Sequence, residues 1–143
     1  MTLAYYGSNA LGIVVDSTAG TTVDVTQSIL EFNGLDIEAM MEESHTFGDS
    51  WVENLFAGLR KVNEVTLKGF YADTAATGFD VIFNDPGNTK TASSASRTLV
   101  VTWGGTKTST VEFFIKNYRR LPSRGTLTKA EAVLVFSGTL TEA

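Results

Sequence analysis

The chain has 143 residues, 43% of them hydrophobic and 19% charged, an ordinary balance for one globular domain with a true core. It has no cysteine, which excludes a disulfide framework and a thiolate-held metal. Its net charge of −5 argues against holding nucleic acid through neutralised phosphates, no apolar run approaches the roughly 20 residues of a membrane helix, and Met1 to Gly7 lack the features of a signal peptide.

Residues 1–12 read as an arm or a first short strand, with Tyr5 and Tyr6 as anchors. Ile13 to Val15 is a β-branched run, ended by the turn-rich stretch from Asp16 to Thr22. Val23 to Phe32 suits a strand or extended segment, and Asn33-Gly34 is a hairpin signal. Beyond it Leu35, Ile37, Ala39 and Met41 alternate with Asp36, Glu38, Met40 and Glu42, predicting a half-buried strand with an acidic outer face.

The next stretch organises the chain. Phe47 to Asp49 is a turn, and Ser50 with Glu53 has capping-box spacing. Trp51, Leu55 and Leu59 recur at helical spacing, flanked by Val52 and Phe56, so a helix from Ser50 to about Lys61 is predicted, with Arg60 and Lys61 at its negative end. Such a short helix must lie against a sheet. From Val62 the period becomes two, through Val65, Leu67, Gly69 and Tyr71.

Phe79 to Phe83 reads as a short strand, stopped by Asn84 to Gly87, and Asn88 to Ser96 as a small-residue loop. Leu99 to Trp103, apolar on both faces, reads as a central strand turned by Gly104-Gly105. Val111, Phe113 and Ile115 continue the alternation to about Tyr118. After a turn from Leu121 to Gly125, Ala132, Leu134, Phe136 and Gly138 mark a closing strand. The fold class expected is mainly β: one antiparallel sandwich or barrel over 1–143, with one short flanking α-helix.

Residues 1–80 hold 12 acids and 3 bases, and residues 81–143 hold 4 acids and 8 bases. Chance segregation of surface charge accounts for this simply. The sharper reading is an acidic face and a basic face that meet between copies.

Catalytic candidates fare badly. His45 is the only histidine, which leaves no His pair for a metal. Ser44 and Ser50, beside His45 and Asp49, lack a nucleophile elbow. Asp36, Glu38, Glu42 and Glu43 supply carboxylates for glycoside hydrolysis, but an exposed strand face explains them more simply. Gly104 to Lys107 fails the phosphate-loop spacing. Lys116, Arg119, Arg120 and Arg124 form the densest basic cluster, either a solvated strand end or a contact to an acidic partner. Trp51 and Trp103 suit core or interface anchors. No catalytic residue, cofactor or metal site is assigned.

The run Thr46-Phe-Gly-Asp-Ser-Trp51, then Leu55 with Gly58-Leu59, then Val65-Thr-Leu-Lys-Gly-Phe-Tyr-Ala-Asp73, resembles the pattern of the major tail tube proteins of long-tailed bacteriophages. Val25-Thr26, Gly34 to Glu38 and the closing Phe136-Ser-Gly-Thr-Leu-Thr141 add to it. The resemblance implies a β-sandwich flanked by a helix, assembled into six-membered rings that stack into a hollow tail. Their inner strands join into one barrel around a lumen that passes DNA without specific binding. It implies a non-enzymatic virion protein, made in the host bacterial cytoplasm and sited in the phage tail, away from membranes. Its partners would be further copies, the tape measure, the tail terminator and the tail tip. Type VI secretion tubes share the fold and supply an alternative; a capsid-decoration or carbohydrate-binding β module is another. Under this resemblance Asp36, Glu38 and Glu42 are candidate lumen-facing acids. Lys116, Arg119, Arg120 and Arg124 are candidate inter-subunit contacts, and Trp51, Leu55 and Leu59 the face packing the helix on the sandwich.

Overall fold

The computed structural model describes residues 11–18, 20–75, 77–89, 96–104 and 107–143. Of the arm expected at 1–12, residues 1–10 with Tyr5 and Tyr6 lie outside the described residues, as do most of the loop from Asn88 to Ser96 and Gly105, while Leu11 and Gly12 open the first strand. In chain order the strands are β1 (Leu11–Asp16), β2 (Thr22–Asp24), β3 (Ile29–Phe32), β4 (Ile37–Ser44), β5 (Glu53–Val62), β6 (Val65–Phe70), β7 (Arg97–Trp103), β8 (Thr108–Leu121) and β9 (Lys129–Glu142). One short helix, α1 (Phe79–Phe83), lies between β6 and β7.

Seven strands form one antiparallel sheet in the order β2-β1-β7-β8-β9-β6-β3, curled into a half-barrel. Its spine is the long β8–β9 pair, whose register shifts between Thr110 and Glu112 and again between Ile115 and Asn117. Such irregularities bend a sheet and increase its twist. Alternation then sends Ile13 and Val15, Leu99 and Val101, Val111, Phe113 and Ile115, Leu134, and Val65 and Leu67 to one buried face. The strands expected around Ile13, Val65, Leu99, Val111 and Ala132 are all present. The expected mainly antiparallel β class, with one short helix, is the class observed.

The helix, however, lies elsewhere. Phe79, Ile82 and Phe83 stand at i, i+3 and i+4 and are fully buried, so a single turn suffices to direct all three into the core. Gly69 makes room: a Cβ there would lie 2.9 Å from the Phe79 ring and 2.4 Å from the Ser28 carbonyl oxygen. The strand expected at Phe79 to Phe83 is thereby corrected, because the i, i+3, i+4 spacing outweighs the short apolar run.

The helix expected from Ser50 to Lys61 is corrected too. Glu53–Val62 is β5, paired antiparallel with β4, with Glu42 opposite Leu55 and Ile37 opposite Val62. The register slips between Ala39 and Met41, and Gly58 takes φ +87, a left-handed conformation that interrupts a helix. The helical seat against the sheet belongs to α1. Asn33-Gly34 makes no hairpin either: β3 pairs with β6, and β4 pairs with β5. The turn, with Gly34 at φ +86, instead leads the chain out of the half-barrel into a separate two-stranded sheet.

Polar groups on the buried face are tied to backbone. Arg97, 3% exposed, donates from Nη1 to the Ile82 oxygen at 2.8 Å and the Asp16 oxygen at 3.2 Å. Its guanidinium lies over the Phe113 ring and 4.0 Å from Asp85. Burial pulls its pKa down, and the charges of Asp85 and Asp16 oppose that pull. Asn88 donates to the Phe113 oxygen and accepts from the Ile115 N–H. The segment after α1 is thus pinned to β8.

A candidate assembly surface

β4 and β5 form a hairpin arm that is exposed along both strands, with only Val62 half-buried at its root. An isolated two-stranded hairpin is marginal in water. Opposed residues share a face, so Ile37, Ala39 and Met41 lie with Val62, Arg60 and Phe56, while Glu38 and Glu42 lie with Lys61 and Leu55. Apolar side chains therefore stand on both faces. Among the described residues, twelve large hydrophobics are exposed, and nine of them belong to the segment from Ile37 to Leu59. Scattered exposed apolar residues are ordinary, but a concentration like this marks an interaction surface. Among the described residues neither long edge of the hairpin is paired with a further strand, and open edges invite one.

The root is fixed by polar bonds. The Asn63 side chain donates to Asp36 at 2.8 Å and to Glu38 at 3.1 Å, and Lys61 lies 3.7 Å from Glu38. Gly58, Arg60 and Val62 line one shallow groove with Gly138, Leu140 and Glu142, which places the root beside the C-terminal end of β9. At the tip, the Thr46 N–H donates to Asp49 Oδ2 at 2.7 Å, and the Asp49 N–H returns a bond to the Thr46 oxygen. This tight turn holds Phe47 and Trp51 out, at 112% and 85% exposure.

Trp51, Leu55 and Leu59 are all exposed and belong to the arm rather than to a helix packed on the sandwich. Glu38 and Glu42 share a face of β4, as alternation predicts, whereas Asp36 precedes the strand and serves its root. The apolar face expected to be half-buried is exposed at Ile37, Ala39 and Met41. Among the described residues nothing covers it.

The basic cluster is dispersed by pairing. Lys116 bonds Glu64 at 3.2 Å, Arg119 bonds Glu131 at 3.1 Å, and Arg120 grips Asp80 at 2.9 and 3.2 Å. Asp80 also accepts the Tyr118 hydroxyl at 2.6 Å, and burial followed by that bond raises the tyrosine pKa above its ordinary range. Arg124 sits exposed in the β8–β9 turn, near Leu127 at 72% exposure and the exposed Lys129. Leu127 and Lys129 were absent from the sequence-level candidates; a leucine flanked by bases in a turn was the available signal. His45 is exposed at the end of β4. Among the described residues no three of His, Asp and Glu gather as metal ligands.

No protein-family model matches the chain, and no curated protein does. Its fold is similar to that of a chain in the 6-fold symmetrised baseplate of the anti-feeding prophage, with TM-score 0.71, 10% identity, and coverage of 99% of this chain and 97% of that one. It is similar to a chain in the tail of an empty gene transfer agent particle, refined helically with C6 symmetry, with TM-score 0.66, 13% identity, and coverage of 97% and 99%. A chain in the virion of the native gene transfer agent gives TM-score 0.67, 13% identity and the same coverage. The likeness spans nearly the whole of each chain and establishes a tail tube-like fold.

Proposed function

We propose that this protein is a structural subunit of a phage-type tail, which joins copies of itself into six-membered rings stacked around a lumen that passes DNA. The observation that carries this reading is the hairpin arm, apolar on both faces and uncovered by the other described residues. Burying one such side chain is worth about 1.5–3 kcal/mol, so several together supply a strong drive toward association. Strand addition along the open edges would satisfy the backbone, and charge would set the register.

The similarity in fold to chains of six-fold symmetric tail and baseplate particles supports a ring of six. In that ring the face carrying Glu38 and Glu42, with Asp36 at its base, lines the lumen and repels the phosphate backbone. The repulsion is nonspecific and screened by salt. The protein acts without catalysis, resides in the virion tail, and meets the tape measure, tail terminator and tail tip at the two ends of the tube. It is made in the host bacterial cytoplasm.

Electron microscopy of the concentrated protein, alone and with a tail-initiation complex, tests this. Striated tubes with six-fold end views and an open channel are expected. A persistent monomer under both conditions, with saturable glycan binding, would transfer the chain to the carbohydrate-binding modules.

A further inference from the structure

Asn33-Gly34 is the only asparagine–glycine pair in the chain, and it closes no hairpin. It is the short link by which the chain leaves β3 for the arm. Both sides of the link are held. On one side Phe32, 7% exposed, pairs with Leu67 and stacks on Trp103 at 6.0 Å. On the other, Leu35 packs against the core, the Asp36 oxygen accepts the Asn63 N–H at 2.9 Å, and Asp36 Oδ2 accepts the Asn63 side chain at 2.8 Å. The link itself is open. Asn33 is exposed, Gly34 takes φ +86, and a Cβ at Gly34 would meet nothing within 4 Å. Among the described residues the Gly34 N–H donates no hydrogen bond.

We infer that Asn33-Gly34 is a site of spontaneous covalent modification, and that its isoaspartate product loosens the root of the arm. The Gly34 main-chain nitrogen, its proton drawn off by hydroxide, attacks Asn33 Cγ. The new N–Cγ bond closes a five-membered succinimide, and the side-chain nitrogen leaves as ammonia. Water then opens the ring. Breaking the N–Cγ bond gives aspartate, whereas breaking the bond from that nitrogen to the Asn33 main-chain carbonyl carbon gives isoaspartate, with the chain routed through Cβ and Cγ. Each event consumes one water and releases one ammonia, with no oxidant or reductant. Glycine leaves the attacking nitrogen uncrowded and lets the backbone turn toward the ring geometry. Asn88, by contrast, is buried, with its amide bonded to Phe113 and Ile115. The isoaspartate adds one backbone carbon, about 1.5 Å of chain, between two anchored points. Phe32 is fixed in the core, so the added length falls on Leu35 and Asp36, where the arm is tied to Asn63. The chemistry needs only the folded subunit and stands apart from the tube reading.

The test is to incubate the purified protein at mildly alkaline pH beside an unstructured peptide spanning Leu30 to Ile37. Both are then digested and read by mass spectrometry, with an isoaspartyl methyltransferase to count isoaspartate. Conversion is expected at Asn33, faster as pH rises, with isoaspartate in excess over aspartate and the other asparagines intact. Hydrogen exchange on the isoaspartyl fraction reads the consequence: the Asn63 amide, released from Asp36, should exchange about tenfold faster. Aged Asn33→Gln, whose longer side chain disfavours the ring, should match the fresh wild type. Fresh Asn33→Asp, which has the charge without the added carbon, should match it too. An intact Asn33 once the peptide has converted, or conversion spread evenly over the asparagines, would overturn the site. Unchanged exchange in the isoaspartyl protein, or equal acceleration in Asn33→Asp, would overturn the loosening. A chain that converts at Asn33 but forms no rings keeps this inference and removes the tube.

Discussion

The Tyr118 hydroxyl donates to Asp80 at 2.6 Å, joining the turn end of the longest strand pair to the first turn of α1. The same carboxylate takes both donors of Arg120, whose guanidinium lies over the Tyr71 ring. One acid on a five-residue helix thus anchors it to β8 and to the end of β6.

Tyr118 should remain protonated well above the ordinary tyrosine pKa of 10.0, because burial and the Asp80 bond both favour its neutral form. The sign follows from linkage: an acid whose folded pKa is raised adds stability below its unfolded pKa, and that stability is lost as pH rises from about 10 through the folded value. Tyrosinate absorbance at pH 10–11 should match between the wild type and Tyr118→Phe while both are folded. A deficit of one tyrosinate in the variant would show that the bond does not hold in solution.

Asp80→Ala should cost about 1–3 kcal/mol, chiefly by leaving the half-buried Tyr118 hydroxyl without its acceptor. Arg120 is more than half exposed in its side chain, so its share is small. The check is chemical denaturation, with Arg120→Ala run beside it as the smaller effect. Equal losses would assign the weight to the ion pair instead.

Ile82→Ala should destabilise the monomer by about 2–5 kcal/mol as a buried large-to-small change. Leu55→Ala, at a position 55% exposed, should stay within about 0.5 kcal/mol. The order reverses what a helix from Ser50 to Lys61 predicts. Thermal unfolding of the two variants reads it directly.

Gly69→Ala should cost about 1–3 kcal/mol by overpacking, since the added methyl meets the Ser28 carbonyl and the Phe79 ring. Gly69→Ala combined with Phe79→Leu should recover part of the loss. A variant as stable as the wild type would mean that α1 does not press on β6.

If Asp36, Glu38 and Glu42 line the lumen as proposed, replacing them with lysine should make that surface pair with phosphates. Particles carrying the triple variant, first checked for intact tubes by microscopy, should release DNA more slowly, most visibly at low salt. Release at the normal rate would remove these acids from the lumen.

Much of the fold was legible because β structure announces itself locally. Alternation at Val65 to Gly69, Leu99 to Val101 and Val111 to Ile115, punctuated by turn residues, sufficed for a mainly antiparallel β reading, and the segregation of charge was visible in the same way. The tail tube resemblance, carried by the run from Thr46 to Asp73, matches the fold observed. What tertiary structure alone decided was the state of the segment from Trp51 to Leu59 and of Phe79 to Phe83. Apolar residues on both faces of a strand also satisfy helical spacing, so local pattern cannot choose between them. The choice is made by a ladder closed across a turn, with Glu42 opposite Leu55, and by a concave face already filled by Phe79, Ile82 and Phe83. Both are non-local contacts. The neutralisation of Lys116 and Arg120 has the same origin, since Glu64 and Asp80 reach them only once β6, α1 and β8 are packed together.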